Sequence, residues 1–159
     1  MTQKAMKWIK LFENYSEIIV YHGTNDKHQF NNNGYIARGT FFSTIDSEAK
    51  SYGKYLYKAV LKEGLNLFNT KNINDLNLLF SRFDVLYDTY YSEDEPEYEI
   101  TSAEQLLNMN DDWEPIENTP GVLNWLENSY DGVWLYEGGV KNILLFSPVN
   151  DKLKSINLV

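Results

Sequence analysis

Cysteine is absent from this chain of 159 residues, which also holds only two histidines and four prolines. Without cysteine there is neither a disulfide framework nor a thiolate metal site, and two histidines build a zinc centre only with several carboxylates. Long apolar runs are missing too, since the longest, such as Ile143 to Phe146, have only a few residues. A membrane-spanning helix needs roughly 20. We therefore expect no metal and no membrane segment.

Positive charge is scarce. Lysine and arginine together number 14 against 23 acidic residues, which gives a net charge of −9. Proteins that bind DNA or RNA present basic stripes that release counterions, so this balance favours a protein or small-molecule partner and leaves a nucleic-acid acceptor as the weaker alternative. With 43% hydrophobic and 15% aromatic residues, the length fits one folded domain over 1–159, which we expect to be monomeric.

Periodicity and turn residues predict short elements along the whole chain. The predicted helices cover 1–14 (amphipathic), 46–52 (capped by Ser43 or Thr44), 75–90 (capped by Asn74 or Asp75), 101–109 (opened by a capping box at Thr101–Glu104) and 119–128. The predicted strands cover 17–21, 54–61, 65–68, 132–137 and 142–146, and glycines join the last two as a hairpin.

Two polar segments are expected to be loops. The segment 25–40 contains Asn31-Asn32-Asn33-Gly34 and Gly39, residues that permit tight turns, and predicts a mobile loop over a ligand. The segment 88–100 concentrates acidic residues around Pro96, and like charges at this density favour an exposed surface loop.

Three short motifs follow one another near the N-terminal end. The first is Val20-Tyr21-His22-Gly23-Thr24, at the end of a buried strand. The second is Gly39-Thr40-Phe41-Phe42-Ser43-Thr44, an aromatic corner. The third is Ala49-Lys50-Ser51-Tyr52-Gly53, the end of a short helix. In this order they resemble the ADP-ribosyltransferase superfamily, in the diphtheria-toxin-like branch that uses a histidine, a tyrosine and a glutamate.

The resemblance implies a role for each matching residue. His22 would hydrogen-bond the adenosine ribose of NAD, and the backbone of Gly23 would hold the nicotinamide carboxamide. Tyr52 would stack on the nicotinamide, with Phe42 closing its other side. Toxins of this branch commonly carry tyrosine at the Phe42 position, and a phenyl face preserves the stacking. The predicted NAD-binding set also includes Thr24, Ser43 and Thr44.

The family's glutamate lies near the C-terminus, on or just after a late strand. Glu137 ends the run Tyr130 to Glu137 and is the predicted catalytic carboxylate, with Glu127 and Asp131 as rivals. Arginine-modifying relatives usually carry a second acid two positions earlier, where this chain has Leu135, so we expect an acceptor side chain other than arginine. Arg38, one of two arginines, is the candidate for the NAD pyrophosphate, because a guanidinium forks onto phosphate oxygens.

Together these residues predict an NAD-dependent mono-ADP-ribosyltransferase that modifies a protein side chain. The expected fold is α+β, with two small, mostly antiparallel sheets packed as a split sandwich around the NAD cleft and helices outside. Small members of the superfamily include bacterial toxins and phage proteins, among them an anti-CRISPR transferase, which implies a cytoplasmic effector that modifies host machinery. The alternatives are an NAD glycohydrolase and an inactive partner-binding module.

Overall fold

The structure, a computed structural model, describes residues 17–31, 38–88 and 98–159, and confirms the α+β class. Its strands are β1 (Ile19–Thr24), β2 (Gly39–Ser43), β3 (Tyr55–Leu61), β4 (Leu67–Asn69), β5 (Leu86–Asp88), β6 (Tyr98–Ile100), β7 (Gly132–Glu137), β8 (Val140–Phe146) and β9 (Leu153–Leu158). Its helices are α1 (Asp46–Lys50), α2 (Ile73–Arg82), α3 (Ala103–Leu107), α4 (Trp113–Asn118) and α5 (Val122–Ser129), with a 3-10 turn at Asn150–Lys152. The helix predicted over 1–14 lies outside the described residues.

Seven strands form one sheet in the order β4-β7-β8-β2-β1-β3-β9, while β5 and β6 pair separately. Only β4 and β7 run parallel; the other neighbours are antiparallel. At the centre, β1 and β2 share a single register pair, Tyr21 with Ser43. The large sheet is therefore split into a β4-β7-β8-β2 half and a β1-β3-β9 half.

Each face of the split sheet carries its own hydrophobic core. One core packs the helices against the sheet, through residues such as Leu76 of α2, Ile116 of α4 and Leu135 of β7. The other core joins the two halves through Val20 of β1 and Phe42 of β2. Alternate residues along β7 and β8 enter opposite cores because successive strand side chains point to opposite faces. Among the described residues, no helix is long and apolar enough to cross a membrane.

The helix predicted over 75–90 is wrong at its C-terminal half. It ends at Arg82, because Phe83 takes extended backbone with φ −129° and ψ 108°. Leu86 is fully buried and pairs with Ile100, so the chain there is strand β5. Long-range pairing thus overrides a helical apolar pattern that a local window could not distinguish. The N-cap is Asn72, rather than Asn74 or Asp75, and its side chain accepts from both of their backbone N–H groups.

The caps of two other helices also differ from the prediction. Neither Ser43 nor Thr44 caps α1: its N-cap is Ile45, without a side-chain hydrogen bond, and the helix ends at Lys50. Ser43 Oγ instead accepts from the N–H of Ile45, and Thr44 donates to the carbonyl of Lys141. The α1 helix is therefore fixed by its packing rather than by a cap.

A capping box does open α3, one residue later than predicted. Ser102 accepts from the N–H of Gln105, whose side chain in turn accepts from the N–H of Ser102. The helix predicted over 119–128 begins only at Val122 and ends at Ser129.

The predicted acidic loop is partly corrected at its ends. Asp88 closes β5 and pairs with Tyr98, the first residue of β6, so both ends are strands, and residues 89–97 lie outside the described part. The loop predicted over 25–40 likewise falls partly outside it, and it is wrong at its end, where Gly39 and Thr40 belong to β2. The hairpin of β7 and β8 is confirmed, with Gly138 and Gly139 as its turn.

Candidate functional site

A cleft of about 230 Å³ opens where the two halves of the sheet separate. Six of the residues predicted from sequence line it: His22 and Gly23 of β1, Phe42 and Ser43 of β2, Tyr52 after α1, and Glu137 of β7. Pockets for whole ligands measure about 300–1,000 Å³, so this cleft suits one end of a dinucleotide rather than the entire molecule. Residues far apart in sequence are brought to one cavity by the sheet topology.

Close backbone packing of α1 on β1 forms one wall of the cleft. A Cβ added to Gly23 would lie 1.8 Å from the carbonyl oxygen of Ala49, and one added to Gly53 would lie 2.3 Å from the carbonyl carbon of Thr24. Both obstacles are backbone atoms, so any larger residue would force the two segments apart. The two glycines thus allow α1 to pack closely on β1, and this packing sets the position of Tyr52 relative to His22.

His22 spans the gap between β1 and β2 with its side chain. Its Nδ1 lies 2.6 Å from the carbonyl oxygen of Phe41, and its Nε2 lies 2.9 Å from the side-chain oxygen Oε1 of Gln29. Both neighbouring atoms are acceptors, so the ring donates a hydrogen bond from whichever nitrogen carries a proton. For His22 to contact a ribose hydroxyl as predicted, Gln29 must release Nε2.

Phe42 is 1% exposed and belongs to the core behind the cleft. Its ring stacks on Phe30 at 6.0 Å and lies 5.5 Å from the ring of His22. Tyr57 packs edge-on against the same Phe30 ring. Phe42 therefore supports the cleft from below, and its predicted stacking on nicotinamide is limited to the edge that faces the cavity.

Tyr52 is 66% exposed, although it is a large aromatic residue that lines the cleft. It follows α1, with its N–H donating to the carbonyl of Ala49. This exposure means that Tyr52 is not part of the hydrophobic core. An exposed aromatic face at the rim of a cavity is available to stack on a flat ring.

Glu137 ends β7 at the cleft and is half-buried. Burial raises the pKa of its carboxyl, and the negative charges of Asp111, Asp112, Glu117 and Glu114 raise the pKa further. A site with this excess of negative charge favours a cation, such as the oxidised nicotinamide ring or a developing oxocarbenium ion.

A loop before α4 holds the end of β7 in place. Asp112 is fully buried, and its carboxylate accepts from the N–H of Tyr136 at 2.8 Å and from the Thr70 hydroxyl at 2.6 Å. Burial raises the pKa of Asp112, while these hydrogen bonds lower it. Asp111 also accepts from the N–H of Gly138. The residues on either side of Glu137 are therefore anchored, which fixes the direction of its side chain.

Three predicted binding residues do not line the cavity. The Thr24 hydroxyl accepts a hydrogen bond from the N–H of Asp26, and the Thr44 hydroxyl donates one to the carbonyl of Lys141. Arg38 lies before β2, where its Nε is 3.8 Å from Glu127 and its Nη2 donates to Asn124. A phosphate role for Arg38 requires that it leave these partners on α5. These roles stay predictions.

Both rivals of Glu137 have other partners outside the cleft lining. Glu127 pairs with Arg38, and Asp131 accepts from the N–H of Asn66 at 2.7 Å. Among the three acids weighed from sequence, Glu137 is the one that the structure places in the cleft.

Sequence reasoning missed four lining residues: Tyr21, Phe41, Ala49 and Asn142. Phe41 packs edge-on against Trp113 of α4, with ring centroids 4.9 Å apart, and so joins the cleft to the helical face. Asn142 follows Lys141 on β8 and precedes four apolar residues, and asparagine is a residue type depleted in strands, which is a usable signal. Within the described ranges, no group of three or more histidine or acidic residues could hold a metal ion.

Comparison with known protein families gives no match, and comparison with curated proteins gives none either. Among solved structures, the chain is similar to one titled as the crystal structure of an anti-CRISPR protein, with a TM-score of 0.46 and 9% identity. The similarity covers 91% of this chain and 97% of that chain. At this level the likeness is too low to bear on function.

Proposed function

We propose that this protein is a mono-ADP-ribosyltransferase that cleaves the nicotinamide–ribose bond of NAD and transfers ADP-ribose to a protein side chain other than arginine. The observation that carries the proposal is the placement of Glu137, His22 and Tyr52 around one cleft. These three residues come from separate segments of the chain, and their proposed roles follow from the sequence resemblance.

In the proposed complex the nicotinamide ring enters the cleft and stacks on the exposed face of Tyr52. The backbone of Gly23 pairs with the carboxamide, as the resemblance implies. Glu137 is half-buried and lines the cleft, which supports a role for its carboxylate beside the positive charge that develops on the ribose. An ionised Glu137 accepts a hydrogen bond from the ribose 2′-hydroxyl and stabilises the cation that forms on the sugar.

The chemical step needs no general base at the outset. The bond between C1′ and the ring nitrogen breaks with its electron pair leaving on nicotinamide, which departs as a neutral molecule. A nucleophilic side chain of the acceptor protein then bonds to C1′ and loses its proton. The enzyme contributes by holding both partners and by stabilising positive charge that is greatest in the transition state.

The choice of acceptor rests on the residue two positions before Glu137. Leu135 is fully buried in the helical core and offers no carboxylate to a guanidinium. This supports an acceptor other than arginine. We further propose that the protein acts as an effector in the cytoplasm of a bacterial or phage-infected cell, which rests on the sequence resemblance alone.

Transfer is tested by incubating the protein and its Glu137→Gln variant with a bacterial lysate and NAD labelled in the adenine ring. The proposal predicts label on a discrete protein band with wild type and none with the variant, and mass spectrometry of the band identifies the side chain. NAD labelled in the nicotinamide ring is the control and leaves proteins unlabelled. Nicotinamide release without protein labelling would instead indicate a glycohydrolase, and neither event would leave a partner-binding module.

A further inference from the structure

Asn142 lies on the floor of the cleft with an unsatisfied side chain. Its Oδ1 is buried and has no hydrogen-bond partner in the part of the chain that the structure describes. A buried polar atom without a partner costs about 1–3 kcal/mol, and such atoms are few in native proteins. The four residues that follow it on β8 are all buried and apolar. The amide thus stands immediately before the buried apolar part of its strand, and Lys141 precedes it.

The register of the sheet places Asn142 between two elements of the proposed site. It pairs with Ser43 on β2 and with Leu135 on β7. Ser43 in turn pairs with Tyr21, the last contact before the strands of the two halves separate. Asn142 therefore lies in the same row of paired residues as Ser43 and Tyr21, next to the point where β1 and β2 separate to form the cleft.

The same register relates Asn142 to Glu137. Glu137 is two residues after Leu135, so both project from the same face of β7, and its paired residue on β8 is Val140. Asn142 is then the diagonal neighbour of Glu137, at a distance of about 7 Å between positions of this kind. Two polar side chains at this spacing can hold adjacent hydroxyl groups of one sugar.

We propose that Asn142 is a ribose-binding residue, whose amide hydrogen-bonds the 3′-hydroxyl of the nicotinamide ribose while Glu137 holds the 2′-hydroxyl. This inference rests on the proposed function. A ribose hydroxyl both donates and accepts, so it satisfies either end of the amide. With the amide turned toward the cleft, the bound sugar supplies the partner that the described residues do not provide.

The test measures whether the Asn142 side chain and the 3′-hydroxyl of the nicotinamide ribose interact. Nicotinamide release is followed for NAD and for an analogue that lacks the 3′-hydroxyl on the nicotinamide ribose, with wild type, Asn142→Ala and Asn142→Leu. In wild type, loss of the hydroxyl lowers kcat/KM by about tenfold or more. In both variants the same loss changes kcat/KM by less than about twofold, because the partner is already gone.

Thr40→Val is the matched control. Thr40 Oγ1 is also buried and has no partner among the described residues, but Thr40 does not line the cleft. This variant retains the full tenfold discrimination between the two substrates. The Asn142→Leu variant keeps the shape of the side chain and removes the unsatisfied oxygen, so it melts no lower than wild type.

Two different failures are separated by this design. Equal effects of hydroxyl loss in wild type and in both Asn142 variants would overturn the role of Asn142 while leaving the proposed function in place. Wild-type protein that neither binds NAD in calorimetry nor releases nicotinamide would overturn the proposed function, and the role of Asn142 with it.

Discussion

Replacing Gly23 by alanine tests whether the contact between β1 and α1 sets the geometry of the cleft. The added Cβ would lie 1.8 Å from the carbonyl oxygen of Ala49, and real Cβ atoms essentially never come within 3.0 Å of another atom. The helix must therefore move by about 1.2 Å or more, carrying Tyr52 with it. Overpacking of this kind costs about 1–3 kcal/mol. For a chain of this size, 3 kcal/mol lowers the Tm by roughly 6–12 °C.

The same shift affects the proposed reaction more strongly than stability. Misplacement by about 1 Å can cost roughly 100-fold in rate, so Gly23→Ala should lower kcat/KM for nicotinamide release by about that factor. Gly64→Ala is the control, because a Cβ at Gly64 meets nothing within 4 Å although its φ is +77°. It loses about 1–2 kcal/mol from backbone strain and keeps full activity. Gly23→Ala releasing nicotinamide as fast as Gly64→Ala would refute the packing argument.

Three further predictions concern the acids and the rim of the cleft. Nicotinamide release should fall as the pH is lowered through the raised pKa of Glu137, with a midpoint above the ordinary value of about 4.3. Because the charge of Asp111 raises this pKa, Asp111→Asn should move the midpoint to lower pH, whereas the control Glu63→Gln should leave it in place. Asp112→Ala should lower the free energy of unfolding in urea by about 3 kcal/mol, because two buried donors lose their acceptor, whereas Asp112→Asn retains one acceptor oxygen and should lose less. Tyr52→Ala should leave the Tm within about 2 °C, since the ring is exposed, yet weaken NAD binding about tenfold, while Tyr52→Phe should bind normally.

Each of these has an outcome that contradicts it. An Asp111→Asn midpoint identical to wild type would show that the acidic surroundings do not control Glu137. Full stability of Asp112→Ala would show that its hydrogen bonds are dispensable. Equal NAD binding by the alanine and phenylalanine variants of Tyr52 would remove stacking from the account.

The parts of the site that sequence could predict are those specified by local chemistry. The order of His22-Gly23, Phe42-Ser43 and Tyr52-Gly53 predicted residues that the structure gathers in one cleft, because strand, corner and short helix are consecutive in the chain. The β7–β8 hairpin was predictable for the same reason, since its turn is carried by adjacent glycines. That placed Glu137 at the end of a late strand.

What sequence could not predict depends on partners distant in the chain. The segment after Arg82 is helical in pattern, and only its pairing with Ile100 makes it a strand. The partners of Arg38 lie on α5, which a sequence window does not reveal. The position of Asn142 in the cleft depends on its register between Ser43 and Leu135, which an unusual amide in a strand does not reveal. Local patterns therefore predicted elements and motifs, whereas contacts across the sheet decided which side chains meet.

The central claim is that Glu137 promotes cleavage of the nicotinamide–ribose bond in this cleft. Its most direct test is the rate of labelled nicotinamide release from NAD, in the presence of acceptor lysate, by wild type and by a Glu137→Gln variant with matched melting temperature. The account predicts release by wild type and a loss of about 100-fold or more in the variant, with NAD binding retained. Equal rates for the two proteins, or no release by wild type, would contradict it.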